Sequence, residues 1–304
     1  IYEAAGKLAE QGLARPILLG NPEAIQREAK SRKEDRPPLE IINPSASPEL
    51  ERYIDQYCRE RDMPQSVGKR IVTQPLCFGA MMVKSKDAGG MVAGITHPTE
   101  DIILSSELII GFQPGIGLAS SFFVMEVPGF AGGEDGRIIF ADPAVNPDPD
   151  PEQLADIAVS TAHSARDLLG WEPRMAMLSF STRGSASHAM VDKVVKAFEL
   201  ARKKAPDLLI DGEMQADTAL IQSVALKKMT SESPVAGRAN VLIFPDLNAA
   251  NIGAKLVQRL ANATSYGPVL QGFARPVSDL SRGATVEDVV GASLMVTARG
   301  GADG

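Results

Sequence analysis

Ser281, Arg282 and Asp288 sit close together in the segment Pro276-Val277-Ser278-Asp279-Leu280-Ser281-Arg282-Gly283-Ala284-Thr285-Val286-Glu287-Asp288, just ahead of the apolar run VVGASLMVTA. A guanidinium holds an anion through paired N–H donors, a hydroxyl adds a hydrogen bond, and a carboxylate accepts a proton. Together they suit a reaction that binds an anionic substrate and removes a proton from it or from its partner. The same residues have a purely structural account. Thr285 fits the N-cap of a helix through VVGASLMVTA, with Asp288 three residues on in the capping-box position, Asp standing in place of Glu. Spacing alone leaves both accounts open.

Three further segments run from an apolar stretch into small, polar or Gly-rich residues before a helical pattern begins. They are Ser179-Phe180-Ser181-Thr182-Arg183-Gly184-Ser185, Asp211-Gly212-Glu213-Met214-Gln215-Ala216-Asp217 and Pro245-Asp246-Leu247-Asn248-Ala249-Ala250-Asn251. Free backbone N–H groups at helix N-termini suit phosphate oxygens. The first segment adds the hydroxyls of Ser181, Thr182 and Ser185, the turn glycine Gly184 and the guanidinium of Arg183. The third offers Asn248 and Asn251. Ser, Asp and Asn also cap helices wherever helices start, so capping and anion binding both fit. His97 stands alone in a loop, and His163 and His188 fall on helical patterns with no role assigned. No spacing of His, Cys, Asp or Glu suggests a metal site.

The elements that must position these residues alternate along the chain. Ala14 to Gly20, Met175 to Phe180, Asp207 to Asp211 and Asn240 to Phe244 read as short buried strands bounded by Gly, Pro, Asp or Asn. Pro151 to Leu169, Ser187 to Ala205 and Asn251 to Ala263 read as amphipathic helices; in the second, Val191, Val194, Val195, Phe198 and Ala201 recur at helical spacing. Such alternation indicates an α/β protein with parallel sheet. The Gly- and Pro-rich stretch Val127 to Gly136, between the strand-like runs SFFVM and RIIFA, is the expected domain break.

Composition narrows the function classes. The 304 residues, 44% hydrophobic and 23% charged, exclude a disordered chain. Lys+Arg against Asp+Glu gives 31 − 38 = −7, and Lys203-Lys204 and Lys227-Lys228 are isolated pairs, so nucleic acid is not an expected partner. No apolar run approaches the roughly 20 residues that cross a bilayer. No signal-peptide pattern is visible. Cys58 and Cys77 read as reduced thiols, which suits a cytoplasmic location.

The ordered motifs ARPILLG, EPRMAMLSFSTRGS, DGEMQADTAL, ANVLIFPDLNAANIG and GPVLQGFARPVSDLSRG resemble the phosphate acetyl/butyryltransferase family over nearly the whole chain. The resemblance implies a two-domain, three-layer parallel-sheet α/β architecture similar to the isocitrate and isopropylmalate dehydrogenases, with the site in the cleft between domains. It places residues 1–128 with 272–304 in a first domain and 129–271 in a second. It also implies a family strand ahead of Ile1, and a homodimer. The implied reaction is reversible acetyl transfer: acetyl-CoA and phosphate give CoA and acetyl phosphate. CoA is then a substrate, with no bound cofactor and no metal. Carried over on the DLSRG motif, Ser281, Arg282 and Asp288 are catalytic, Asp288 deprotonating the CoA thiol. Ser181, Thr182, Arg183, Gly184, Ser185, Asn248, Asn251, Gly283 and His97 are expected to bind substrate. The chain departs from the family pattern at Leu104 and Leu118, where basic residues are common, at Pro143 in place of Cys, and at Ala254 in place of Tyr. These departures keep two alternatives in view: transfer of butyryl or another short acyl group, and a non-catalytic acetyl-CoA-sensing domain. A decarboxylating dehydrogenase would follow from fold analogy alone.

Overall fold

The computed structural model describes residues 1–31 and 39–301. In chain order, α1 (Tyr2–Glu10), β1 (Ile17–Leu19), α2 (Pro22–Ser31), β2 (Glu40–Ile42), α3 (Leu50–Arg61), α4 (Gln65–Val72), α5 (Pro75–Lys84), β3 (Met91–Ala93) and α6 (Thr99–Ile109) come first. Then follow β4 (Ser120–Glu126), β5 (Arg137–Ala141), α7 (Pro151–Leu169), β6 (Arg174–Leu178), α8 (Ala189–Lys204), β7 (Leu209–Met214), α9 (Ala216–Leu220), α10 (Gln222–Lys228), β8 (Val241–Ile243), α11 (Leu247–Leu260) and β9 (Thr264–Gln271). The last two are β10 (Val277–Asp279) and α12 (Val286–Gly301).

The chain divides into two compact units, Ile1–Gly111 with Phe273–Gly304, and Phe112–Gly272. The first break therefore falls earlier than residue 128. The reason is pairing. SFFVM belongs to β4, which hydrogen-bonds to both β5 and β9 and so lies wholly within the second unit. The Gly- and Pro-rich stretch expected to separate domains is the connection between antiparallel β4 and β5.

In the first unit the strands form two parallel pairs, β1 with β2 and β3 with β10. A cavity of about 1510 Å³ is lined by residues of both β1 and β3, and by Phe78 and Met82 of α5. The apolar α5 buries every residue from Cys77 to Val83. The pairing of β3 with β10 joins residues far apart in sequence, Met91 opposite Val277 and Ala93 opposite Asp279.

The second unit holds a six-stranded sheet in the order β7-β6-β8-β5-β4-β9. Strands β7, β6, β8 and β5 are mutually parallel, as the alternation with helices predicts, whereas β4 runs antiparallel to both neighbours. Helix α7 spans the predicted residues: Pro151 opens it and Asp150 caps it, with Gln153 completing a capping box. One core cluster joins Met125, Ile138, Phe140, Ala176, Leu178, Met214, Leu242 and Ala254. At the ends of this unit the chain closes on itself, Gln113 N–H donating to the Gly272 carbonyl at 2.9 Å. Helix α11 begins four residues before the predicted Asn251, at Leu247, because Asp246 accepts from Ala249 N–H and caps it there.

Candidate active site

The candidate residues fall into two groups, one in each unit. In the first unit, β3 and β10 are adjacent and parallel, so the segments leaving their C-terminal ends emerge side by side. Such ends are where open parallel sheets carry their ligands. Leu280 is the anchor of the segment after β10. It is buried against Ala4, Val289 and Ala292, a burial worth about 1.5–3 kcal/mol. Beyond it Ser281, Arg282 and Gly283 are exposed in a turn closed by Ala284 N–H donating to the Ser281 carbonyl at 3.0 Å. Arg282 has no hydrogen-bond or carboxylate partner among the described residues.

Asp288 lies in the first turn of α12 and is exposed. Its Oδ2 accepts from both the N–H and the hydroxyl of Thr285 at 2.8 Å, and its own N–H donates to Thr285 Oγ1 at 3.2 Å. The capping account read from spacing is realised, with Asp in the role of Glu. Because both Thr285 donors share Oδ2, Oδ1 is the oxygen left to accept a proton. Next to it, Lys7 holds the Glu287 carboxyl below its usual range. His97 is half-buried, its Nδ1 3.1 Å from Thr96 Oγ1.

Sequence reasoning gave no role to Asp279, the last residue of β10. Only 7% exposed, it accepts a short hydrogen bond on Oδ2 from the Thr99 hydroxyl, while Oδ1 is buried without a hydrogen-bond partner. Burial pushes its carboxyl above the ordinary range, against the opposing effects of Thr99 and the Leu280 N–H. The one signal available was an acidic residue two positions before Ser281.

The second unit contains Ser181, Thr182, Arg183, Gly184 and Ser185 in the loop after β6. The parallel register, Met177 opposite Gly212 and Leu178 opposite Met214, sets this loop against Asp211 and Glu213 of β7. Glu213 Oε1 accepts from the Ser181 hydroxyl and the Gly184 N–H, each at 2.8 Å. Arg183, with a positive φ of 49°, pairs with buried Asp211, which also accepts from Ser233. Thr182 N–H donates to Ser185 Oγ at 3.0 Å. The expected phosphate cradle thus has its guanidinium, one hydroxyl and one N–H directed at the chain's own carboxylates. Asn248 is exposed in the first turn of α11, and Asn251 is also helical, its Nδ2 donating to the Pro143 carbonyl at 3.0 Å. These two asparagines are therefore helix residues and not part of an open loop.

Among the departures, Leu104 is 65% exposed on α6, Leu118 is half-buried, and Pro143 and Ala254 are buried. Among the described residues, no group of three or more His, Cys, Asp or Glu is placed to hold a metal ion, and no helix is long and apolar enough to cross a membrane.

An unpaired arginine beside a serine thus stands past the end of a parallel strand, with a carboxylate at the next helix entrance. Residues 1–297 match the family model described as phosphate acetyl/butaryl transferase. The phosphate acetyltransferase of Thermoanaerobacterium thermosaccharolyticum is 48% identical over 291 residues, 95% of this chain and 88% of that one. That of Clostridium acetobutylicum is 46% identical over 290 residues, covering 94% and 87%. A solved phosphotransacetylase from Streptococcus pyogenes superposes with a TM-score of 0.90 at 37% identity, covering 99% of this chain and 90% of that one. The chain belongs to the phosphate acetyl/butaryl transferase family.

Proposed function

We propose that the protein is a phosphate acetyltransferase, moving an acetyl group reversibly between CoA and inorganic phosphate. The observation that carries this reading is Arg282, exposed and without a carboxylate partner among the described residues, beside Ser281 on the short loop that leads into the first turn of α12, where Asp288 lies. In the direction of thioester synthesis, Asp288 takes the proton from the CoA thiol. The thiolate attacks the carbonyl carbon of acetyl phosphate. Its C=O electron pair moves onto oxygen, where Arg282 and Ser281 stabilise the charge. The carbonyl then re-forms as the C–O bond to phosphate breaks, and phosphate leaves. A placed base supplies roughly 10²–10⁴-fold, and each oxyanion donor about 2.7–4 kcal/mol.

His97, Gly283, Asn248, Asn251 and the Ser181–Ser185 loop are assigned to substrate binding, the loop through Thr182 and Ser185, since Ser181, Arg183 and Gly184 are turned to Glu213 and Asp211. The reading uses CoA, acetyl phosphate and phosphate, with no resident cofactor or metal, in the cytoplasm. A homodimer belongs to the same reading. Ile252, Leu256 and Leu260, exposed at successive helical turns of α11, support an apolar contact surface for it. Purified protein mixed with acetyl phosphate and CoA should form thioester. Absence of turnover across a panel of short acyl phosphates would overturn the assignment in favour of a sensor. Preference for a longer acyl group would favour transfer of butyryl or another short acyl group over acetyl.

A further inference from the structure

The two segments that leave the C-terminal ends of β3 and β10 are held together by contacts that the reaction itself does not use. Thr99, the first residue of α6, donates its hydroxyl to Asp279 Oδ2. Gly94, the residue after β3, has a φ of 132° and lies so close to the other segment that an added Cβ would stand 2.2 Å from the Leu280 carbonyl oxygen and 2.4 Å from Asp279 Oδ1. Only glycine fits there, and Gly94, which opens the turn to Pro98, packs directly on the backbone that leads into Ser281 and Arg282.

Asp279 is an expensive residue for this place. Its Oδ1 is buried without a hydrogen-bond partner, and no cation pairs with it among the described residues. Burying a carboxylate oxygen unsatisfied costs free energy that an aliphatic side chain would not incur. A position that served packing alone would be filled more cheaply by leucine. The carboxylate does what leucine cannot: it accepts the Thr99 hydroxyl and so fixes the entrance of α6 to the strand end three residues before Arg282.

We infer that Asp279 and Thr99 form a clamp that positions the Ser281–Arg282 loop against the Gly94–Pro98 turn, making Asp279 a positioning residue for the acyl transfer. This rests on the proposed function of Ser281 and Arg282. Misplacing a charge-stabilising group by about 1 Å is enough to cost on the order of 10²-fold in rate. Losing the clamp should therefore lower kcat by about 10- to 100-fold while KM for CoA and acetyl phosphate moves less.

Thr99→Val removes the donor with little change of shape, Thr99→Ser keeps it, and Asp279→Asn keeps an acceptor. Turnover is measured well below the unfolding midpoint of each variant. Thr99→Val should lose activity, Thr99→Ser should restore it, and Asp279→Asn should retain most of it. Asp279→Leu combined with Thr99→Val should be no worse than either single change, since both break one bond. Amide hydrogen exchange, read without any turnover, should rise together in Gly94–Pro98 and Leu280–Ala284 of Thr99→Val and stay unchanged in the second unit. Wild-type kcat in Thr99→Val, or exchange unchanged in the two segments, overturns the clamp. If the unaltered protein has no transferase activity, the functional reading fails and the exchange experiment still decides the clamp.

Discussion

Asp288 caps α12 and is proposed as the general base, and one substitution separates the two roles. In the structure its Oδ2 receives both Thr285 donors, so a side chain with a single acceptor oxygen in that position preserves the cap. Asp288→Asn supplies such an oxygen and abolishes proton acceptance. Its stability cost is the lost interaction of a charge with the helix N-terminus, about 0.3–1 kcal/mol. Asp288→Ala also removes the carboxylate half of the capping box, leaving the Thr285 N–H unpaired while Thr285 Oγ1 still accepts from the N–H of residue 288. The further loss should therefore sit at the lower end of the range for a whole cap, about 0.5–2 kcal/mol. In thioester formation from acetyl phosphate and CoA, both variants should lose roughly 10²–10⁴-fold in kcat. Urea unfolding should then rank them: Asn close to the parent, Ala clearly below. The general-base assignment is refuted if Asp288→Asn turns over at near the parent rate. If instead activity tracks stability, Asn active and Ala not, the carboxylate acts only as a helix cap.

Arg282→Lys should remain folded yet lose most of its turnover, because an ammonium cannot reproduce a planar two-pronged donor; full activity in steady-state kinetics would refute a bidentate contact. Leu104→Arg, at a position 65% exposed on α6, should lower KM for CoA or phosphate about three- to tenfold with kcat little changed. A change confined to kcat would instead tie Leu104 to acyl selection. Arg183→Met leaves Asp211 buried without its cation. Since Arg183 is itself about one-third exposed, urea unfolding should show a loss of about 1–3 kcal/mol, below the range for fully buried pairs. For Asp279, burial raises the folded-state pKa, so the folded form holds its proton more tightly than the unfolded one. The parent should therefore lose stability relative to Asp279→Asn as pH rises from about 4, and the gap should level off below that range. Urea midpoints that run parallel from acid to neutral pH would contradict this.

Local signals made much of the second unit legible. Helix α7 begins at a proline preceded by a capping aspartate, and β4, β5, β6 and β8 are short apolar runs with clear punctuation. Strand β9, TSYGPVLQ, carried no such signal. It holds a Gly-Pro pair, is half exposed, and gains its partner only at the edge of the sheet beside β4. Strands β3 and β10 are three residues each, too short for any periodicity, and they pair across a long stretch of sequence. In the site, the spacing of Thr285 and Asp288 was enough to give the cap. The fate of Ser181 and Arg183 was not readable, because Asp211 and Glu213 meet that loop only through the register of β6 with β7. Asp279 was hidden for the same kind of reason: its partner Thr99 belongs to a distant helix.

The closure of Gln113 on Gly272 bears on how the chain assembles. The second unit is one uninterrupted stretch inside the first, so during synthesis β3 waits for β10 until residues 112–272 have been made. If that stretch were still unfolded, joining Ala93 to Asp279 would close a loop of roughly 190 residues; once its ends are tied, the effective loop is roughly 27, a saving of about 1.7 kcal/mol in chain entropy. Early folding of the inserted stretch therefore promotes completion of the discontinuous unit. The segment carrying Ser281, Arg282 and Asp288 is synthesised after every residue of the inner unit, so the residues proposed for the transfer join a chain whose inner unit has had time to form.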